Sequence, residues 1–95
     1  MTQQENALIK LMEECNEVAH RCSKALRFGL EEIQKEQPLT NSARIRGEMA
    51  GLMAAYKKLV DLNVLDWPVG HEVDAGINDG RSDTDATNRH RASDV

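Results

Sequence analysis

Aromatic side chains are nearly absent from this chain: one Trp, one Tyr and one Phe in 95 residues, of which 40% are apolar. A core built from Leu, Ile, Met, Val and Ala suits helix-on-helix packing and argues against a β-sandwich. No run of 18 apolar residues occurs, which excludes a membrane-spanning helix. The opening MTQQENALIK has neither a basic start nor an apolar signal core, so a cytoplasmic protein is expected. Basic residues are in deficit, 12 Lys and Arg against 16 Asp and Glu. That balance excludes a nucleic-acid binder of the basic kind, and an acidic protein that handles a polyanion needs a mediating cation. No glycine-rich phosphate loop is present, because Gly47-Glu48-Met49-Ala50-Gly51 lacks the lysine and the loop context.

Cysteine is scarce as well. Cys15 and Cys22 are seven apart, about 10 Å along a helix axis, too far for a disulfide within one chain. Both fall on an apolar stripe, so buried reduced thiols are expected, with a redox or metal role as the alternative.

Length limits the chain to one domain. Thr2 and Glu5 fit a capping box at the start of a first helix. Leu8, Leu11, Met12, Cys15, Val18, Ala19, Cys22, Ala25 and Leu26 then recur at helical spacing for more than five turns. Gly29 interrupts this pattern, a short helical extension through Ile33 is expected, and Pro38 ends it. Residues 37–42 read as a loop, with Asn41 or Ser42 capping a second helix. That helix carries Ile45, Met49, Leu52, Met53, Tyr56, Leu59 and Val60, and Asn63 is a left-handed stop. Residues 1–67 thus form the helical domain. Residues 68–95, with six acids and three arginines, show no periodicity and read as a polar, flexible tail. A hairpin of two helices has stripes wider than its single seam, so self-association into a four-helix bundle or a larger assembly is expected.

The first helix carries Glu13, Glu14 and Glu17 on the flank of its stripe. Glu14 and Glu17, three apart, leave the same edge one turn apart, and Lys10 and Arg21 can pair there at i,i+4 spacing. The bland reading is a solvated acidic flank. Glu48 holds the matching flank of the second helix. Carboxylates that converge across a helix pair are costly unless a cation neutralises them.

These two blocks, Leu11-Met12-Glu13-Glu14-Cys15-Asn16-Glu17-Val18-Ala19 and Arg46-Gly47-Glu48-Met49-Ala50-Gly51-Leu52-Met53, resemble the Glu-Glu-x-x-Glu and Glu-x-x-Asp stretches of the MazG-like nucleoside triphosphate pyrophosphohydrolases. The resemblance covers roughly residues 5–62. It implies an all-α fold of two long antiparallel helices, assembled as a dimer or tetramer. It also implies Mg²⁺-dependent splitting of a nucleoside triphosphate to the monophosphate and pyrophosphate. By the same resemblance Glu14, Glu17 and Glu48 are metal ligands and Glu13 is an accessory acid that orients water or a second metal; in metal-assisted hydrolysis a carboxylate such as Glu13 can accept the water's proton. Lys24, Arg27, Arg44 and Arg46 are candidates for holding the outer phosphates. Gly51 stands where the family has its aspartate, and neither Asp61 nor Asp66 is near enough along the helix to substitute. The alternatives are a catalytically inactive nucleotide-binding module and a helical protein-interaction module. His20 reads as an edge residue, His71 and His90 lack metal-ligand spacing, and Tyr56 and Trp67 read as core filling rather than base stacking.

Overall fold

A computed structural model describes residues 1–78 and shows two long helices, α1 (Gln3–Phe28) and α2 (Asn41–Asp61). Among the described residues there is no β-strand, and no helix is long and apolar enough to cross a membrane. Helix α1 starts as its sequence requires. The Thr2 hydroxyl accepts from the Glu5 backbone N–H at 3.0 Å, and the Glu5 carboxylate accepts from the Thr2 N–H at 2.8 Å. These bonds, the one from the Thr2 backbone first, hold the Glu5 carboxyl below its usual range.

Gly29, at φ 98°, ends α1 in a conformation that side chains disfavour. No helical extension follows it, because the chain turns back on itself directly. Ile33 and Thr40 face each other in a single antiparallel bridge, and the Gln37 N–H closes a tight turn on the Gln34 carbonyl at 2.9 Å. Glu36 sits in that turn with φ 65°. The N-cap of α2 is Thr40, whose hydroxyl accepts from the Ala43 N–H at 3.1 Å. Asn41 and Ser42, expected as caps, lie inside the first turn.

Asn41 is put to another use. It is 1% exposed. Its Nδ2 donates to the Gly29 carbonyl at 2.8 Å and its backbone N–H to the Glu32 carbonyl at 2.9 Å. The side chain therefore ties the end of α1 to the start of α2. Helix α2 ends in a Schellman motif at Asn63, φ 62°. The Val64 N–H donates to the Leu59 carbonyl and the Asn63 N–H to the Val60 carbonyl, both at 2.9 Å.

Helix α2 returns antiparallel along α1. The faces turned together carry Ala7, Leu11, Glu14, Val18, Arg21 and Ala25 on α1, and among the described residues the buried apolar side chains are Ala7, Ala55 and Leu59, of which Leu59 is fully enclosed. Cys15 and Cys22 are exposed, not buried. They lie one step around the helix from the face that meets α2, so the second helix cannot cover them. Beyond α2, the Tyr56 and Trp67 rings stack with centroids 5.1 Å apart, and the Tyr56 hydroxyl donates to the Asp66 carbonyl at 2.7 Å. Trp67 stays half exposed, so this pair clamps residues 66–67 to α2 rather than filling a core.

Residues 70–78 are helical, where the sequence pattern suggests no regular element. Val69, Val73 and Ile77 recur every four residues, and the Glu72 carboxylate accepts from the Val69 N–H at 3.0 Å as a local cap. This short helix is exposed throughout. The rest of the expected tail, 79–95, with His90, lies outside the described residues.

Candidate functional site

The glutamates of α1 sit at spacings of one, three and four, so they leave the helix over a single edge. The antiparallel return of α2 sets Glu48 across from that edge. Glu13, Glu14, Glu17 and Glu48, with Lys10 and Asn16, line one open cleft of about 500 Å³ between the helices. Four carboxylates and one amide make an oxygen-rich lining with one ammonium on its rim.

Glu14 is the least exposed of the ion-paired groups. Its side chain is 16% exposed, and Oε1 accepts from Lys10 Nζ at 3.0 Å, an i,i+4 pair along α1. The hydrogen bond to Glu14 and its charge, with smaller contributions from Glu13 and Glu17, hold the Lys10 ammonium above its usual range. The other end of the Glu14 carboxylate rests on α2 at Gly51. A Cβ placed on Gly51 would stand 2.6 Å from Glu14 Oε2 and 3.3 Å from its Cδ. The missing side chain at position 51 therefore leaves the volume into which Glu14 folds.

This arrangement brings some of the expected residues together and leaves others apart. Glu13, Glu14, Glu17 and Glu48 share the cleft. They surround it rather than converge, and among the described residues no three His, Cys, Asp or Glu side chains are grouped closely enough to hold a metal ion. The donors are all hard oxygens, which suits Mg²⁺ in kind. The spread of those donors does not suit it as a preformed cage.

The basic candidates do not line the cleft. Lys24 and Arg27 lie over the Phe28 ring, at 5.7 and 4.8 Å from its centroid. Arg44 donates to Gln34 Oε1 at 2.7 Å, bracing the loop. Arg46 is exposed two residues before Glu48 and is not part of the lining. Lys10 is the cation at the cleft, and its i,i+4 spacing to Glu14 was the readable signal for it. Arg21, expected to pair along the same edge, is instead 9% exposed, and its Nη1 is buried without a hydrogen-bond partner. The remaining ion pair among the described residues, Lys57 with Asp61 at 2.8 Å, is a solvated i,i+4 pair at the far end of α2. No family model, curated protein or solved structure matches this chain.

Proposed function

We propose that the chain is a Mg²⁺-dependent nucleoside triphosphate pyrophosphohydrolase of MazG-like type, weakened by glycine at position 51. The observation that carries this reading is the shared cleft of Glu13, Glu14, Glu17 and Glu48 across two antiparallel helices. Its partners are a nucleoside triphosphate and a second copy of the chain. A bound Mg²⁺ would supply charge neutralisation on the phosphates.

In this reading the chain's own residues take the following roles. Glu14, Glu17 and Glu48 present the oxygens that would hold the cation. Glu13, on the same lining and without an ion-pair partner among the described residues, is the base for a water proton. Lys10, on the same lining and paired with Glu14, would meet an outer phosphate oxygen and in doing so give up that pair. Glu14 lines the cleft while folded onto Gly51 and held by Lys10.

A second reading, a helical interaction module without catalysis, is favoured by a different observation: an uncharged face of α1 lies exposed. Incubation of the protein with each common nucleoside triphosphate and Mg²⁺ separates the two. Slow release of pyrophosphate, abolished by Glu48→Gln, is the expected result. No pyrophosphate from either the natural chain or a Gly51→Asp variant would leave the interaction module as the better account.

A further inference from the structure

A second cavity opens where the chain leaves α2. It holds about 450 Å³, and its lining includes Tyr56, Asp66, Trp67, Val69, Glu72 and Val73. Its frame is held from both sides. The Tyr56 ring lies against one face of Trp67, centroids 5.1 Å apart and planes 29° apart, and the Tyr56 hydroxyl donates to the Asp66 carbonyl at 2.7 Å. Pro68 restricts the backbone immediately after the Trp67 ring. On the other flank the Glu72 carboxylate accepts from the Val69 N–H at 3.0 Å and caps the short helix 70–78. Within this frame Trp67 stays 44% exposed, Val69 48% and Val73 49%. Large apolar side chains gathered on one open cavity forgo burial, and such patches mark contact sites.

The charge around that ring has one sign. From Leu59 to Asn78 the chain carries Asp61, Asp66, Glu72 and Asp74 and neither Lys nor Arg. Asp61 is paired with Lys57, whereas Asp66, Glu72 and Asp74 form no ion pair among the described residues. An aromatic face alone suits a nucleobase as well as a cation. Two acidic residues in the lining, with no basic one beside them, decide against a nucleotide, whose phosphates they would repel. The same carboxylates add to the attraction of the ring face for a positive group.

We propose that this cavity docks an arginine side chain of a protein partner. The guanidinium stacks on the exposed part of Trp67, and its fork of N–H donors meets the Asp66 and Glu72 carboxylates. The aliphatic stem of the arginine lies on Val69 and Val73. Lysine offers a point charge that neither stacks nor forks in this way. The partner is a peptide segment rather than free arginine, because the apolar edge continues past the cavity to Ile77, one turn beyond Val73 and 52% exposed. Apolar residues beside the arginine cover that edge. The cavity shares no lining residue with the acidic cleft, and Tyr56 lies about 12 Å beyond Glu48 along α2. The docking site therefore stands or falls separately from the nucleotide chemistry.

Trp67 is the chain's one tryptophan, so its fluorescence reports on the site. The whole chain is titrated with a capped tripeptide, arginine between two leucines, and with its lysine and citrulline counterparts. Citrulline keeps the shape of arginine and lacks its charge. The arginine peptide should change Trp67 emission saturably and bind about 10-fold more tightly than the citrulline peptide and about 3-fold more tightly than the lysine peptide. Its affinity should fall as salt rises. The double variant Asp66→Asn, Glu72→Gln should lose the preference for arginine over citrulline. Its helical circular dichroism should not change, since the Asp66 carbonyl and a side-chain oxygen at position 72 remain as acceptors. Equal affinity for the arginine and citrulline peptides would reveal a plain apolar groove and overturn the proposal, and so would a preference that survives in the double variant. Tighter binding of a nucleoside monophosphate than of the arginine peptide would overturn it as well. So would the absence of any arginine-peptide binding at about 10 mM, read by fluorescence and by the indole N–H signal in NMR.

Discussion

Substitution of Gly51 tests the cleft most directly, because its space is already occupied. A Cβ there would meet Glu14 Oε2 at 2.6 Å, so the carboxylate must retreat by about 1 Å to reach ordinary van der Waals contact. Glu14 is long and pivots about its own torsions, so the shift itself is cheap. Gly51→Ala isolates this step. Removing a helix-interior glycine should raise stability by about 0.5–1 kcal/mol, while the displaced Glu14 loosens its bond to Lys10 and the Lys10 ammonium falls back toward its usual range. Gly51→Asp adds a charge to the same place. Two carboxylates about 4 Å apart repel by about 1 kcal/mol in water and about 4 at an effective dielectric of 20. Without Mg²⁺ the Asp variant should therefore be less stable than the Ala variant by about 1–4 kcal/mol. With Mg²⁺ the gap should narrow by the free energy of Mg²⁺ binding. For a Kd of about 1 mM, 10 mM Mg²⁺ stabilises the Asp variant by about 1.4 kcal/mol, roughly 6–11 °C in Tm for a domain this small. Thermal melts at one protein concentration with and without Mg²⁺, beside calorimetric titration of Mg²⁺, measure both quantities. An Ala–Asp gap that ignores Mg²⁺, with equal Mg²⁺ affinity in the natural chain and the Asp variant, would refute the cation site.

Three further substitutions probe the frame around the cleft. Asn41→Ala should cost about 1–3 kcal/mol in urea denaturation, because the Gly29 carbonyl loses its donor; an unchanged midpoint would show that water replaces the amide. Arg21→Met should raise stability by about 1–3 kcal/mol, since it removes a buried guanidinium whose Nη1 is unpartnered and keeps an apolar stem; a loss of similar size would mean that the guanidinium is paired in solution. Thr2→Ala should cost about 1 kcal/mol through the lost N-cap. The natural chain should also lose α1 stability in acid: Glu5 titrates lower in the folded state than in the unfolded chain, so its contribution is present above the unfolded value and disappears as pH falls through the folded one. Amide exchange at the first turn of α1 should accelerate over that window, and Glu5→Gln should abolish the pH dependence.

The helices themselves were readable from local chemistry. Thr2 with Glu5 marked the start of α1, the three-four spacing marked both helices, and Asn63 marked the stop of α2, because each is decided within a few residues. Burial was not readable in the same way. Two seams one residue apart satisfy the same periodicity, and only the packing of α2 selects the one with Ala7, Glu14 and Arg21; for that reason Cys15 and Cys22, which the periodicity puts in the core, lie exposed. The tie from Asn41 to Gly29 spans twelve residues and looks in sequence like an ordinary cap. The gathering of Glu13, Glu14, Glu17 and Glu48 round one cleft follows from helix spacing and an antiparallel return. The contact of Glu14 with Gly51 depends on the axial register of the two helices, which no local pattern encodes. Charge alone makes Lys24, Arg27 and Arg44 phosphate candidates, and each has a nearer partner in an aromatic ring or a loop amide.

Asn41 also separates the tip of the loop from the helices it joins. The Gly29 and Glu32 carbonyls and the Ile33–Thr40 bridge hold the base of the turn, so residues 35–38 hang beyond a closed clasp. Lengthening that tip adds closure entropy only slowly with each residue, and exposed tips of this kind are where chains accept insertions. A peptide epitope or a short flexible linker set between Lys35 and Glu36 should leave the register of α1 on α2 intact, which makes this hairpin a natural place to graft foreign sequence onto the scaffold.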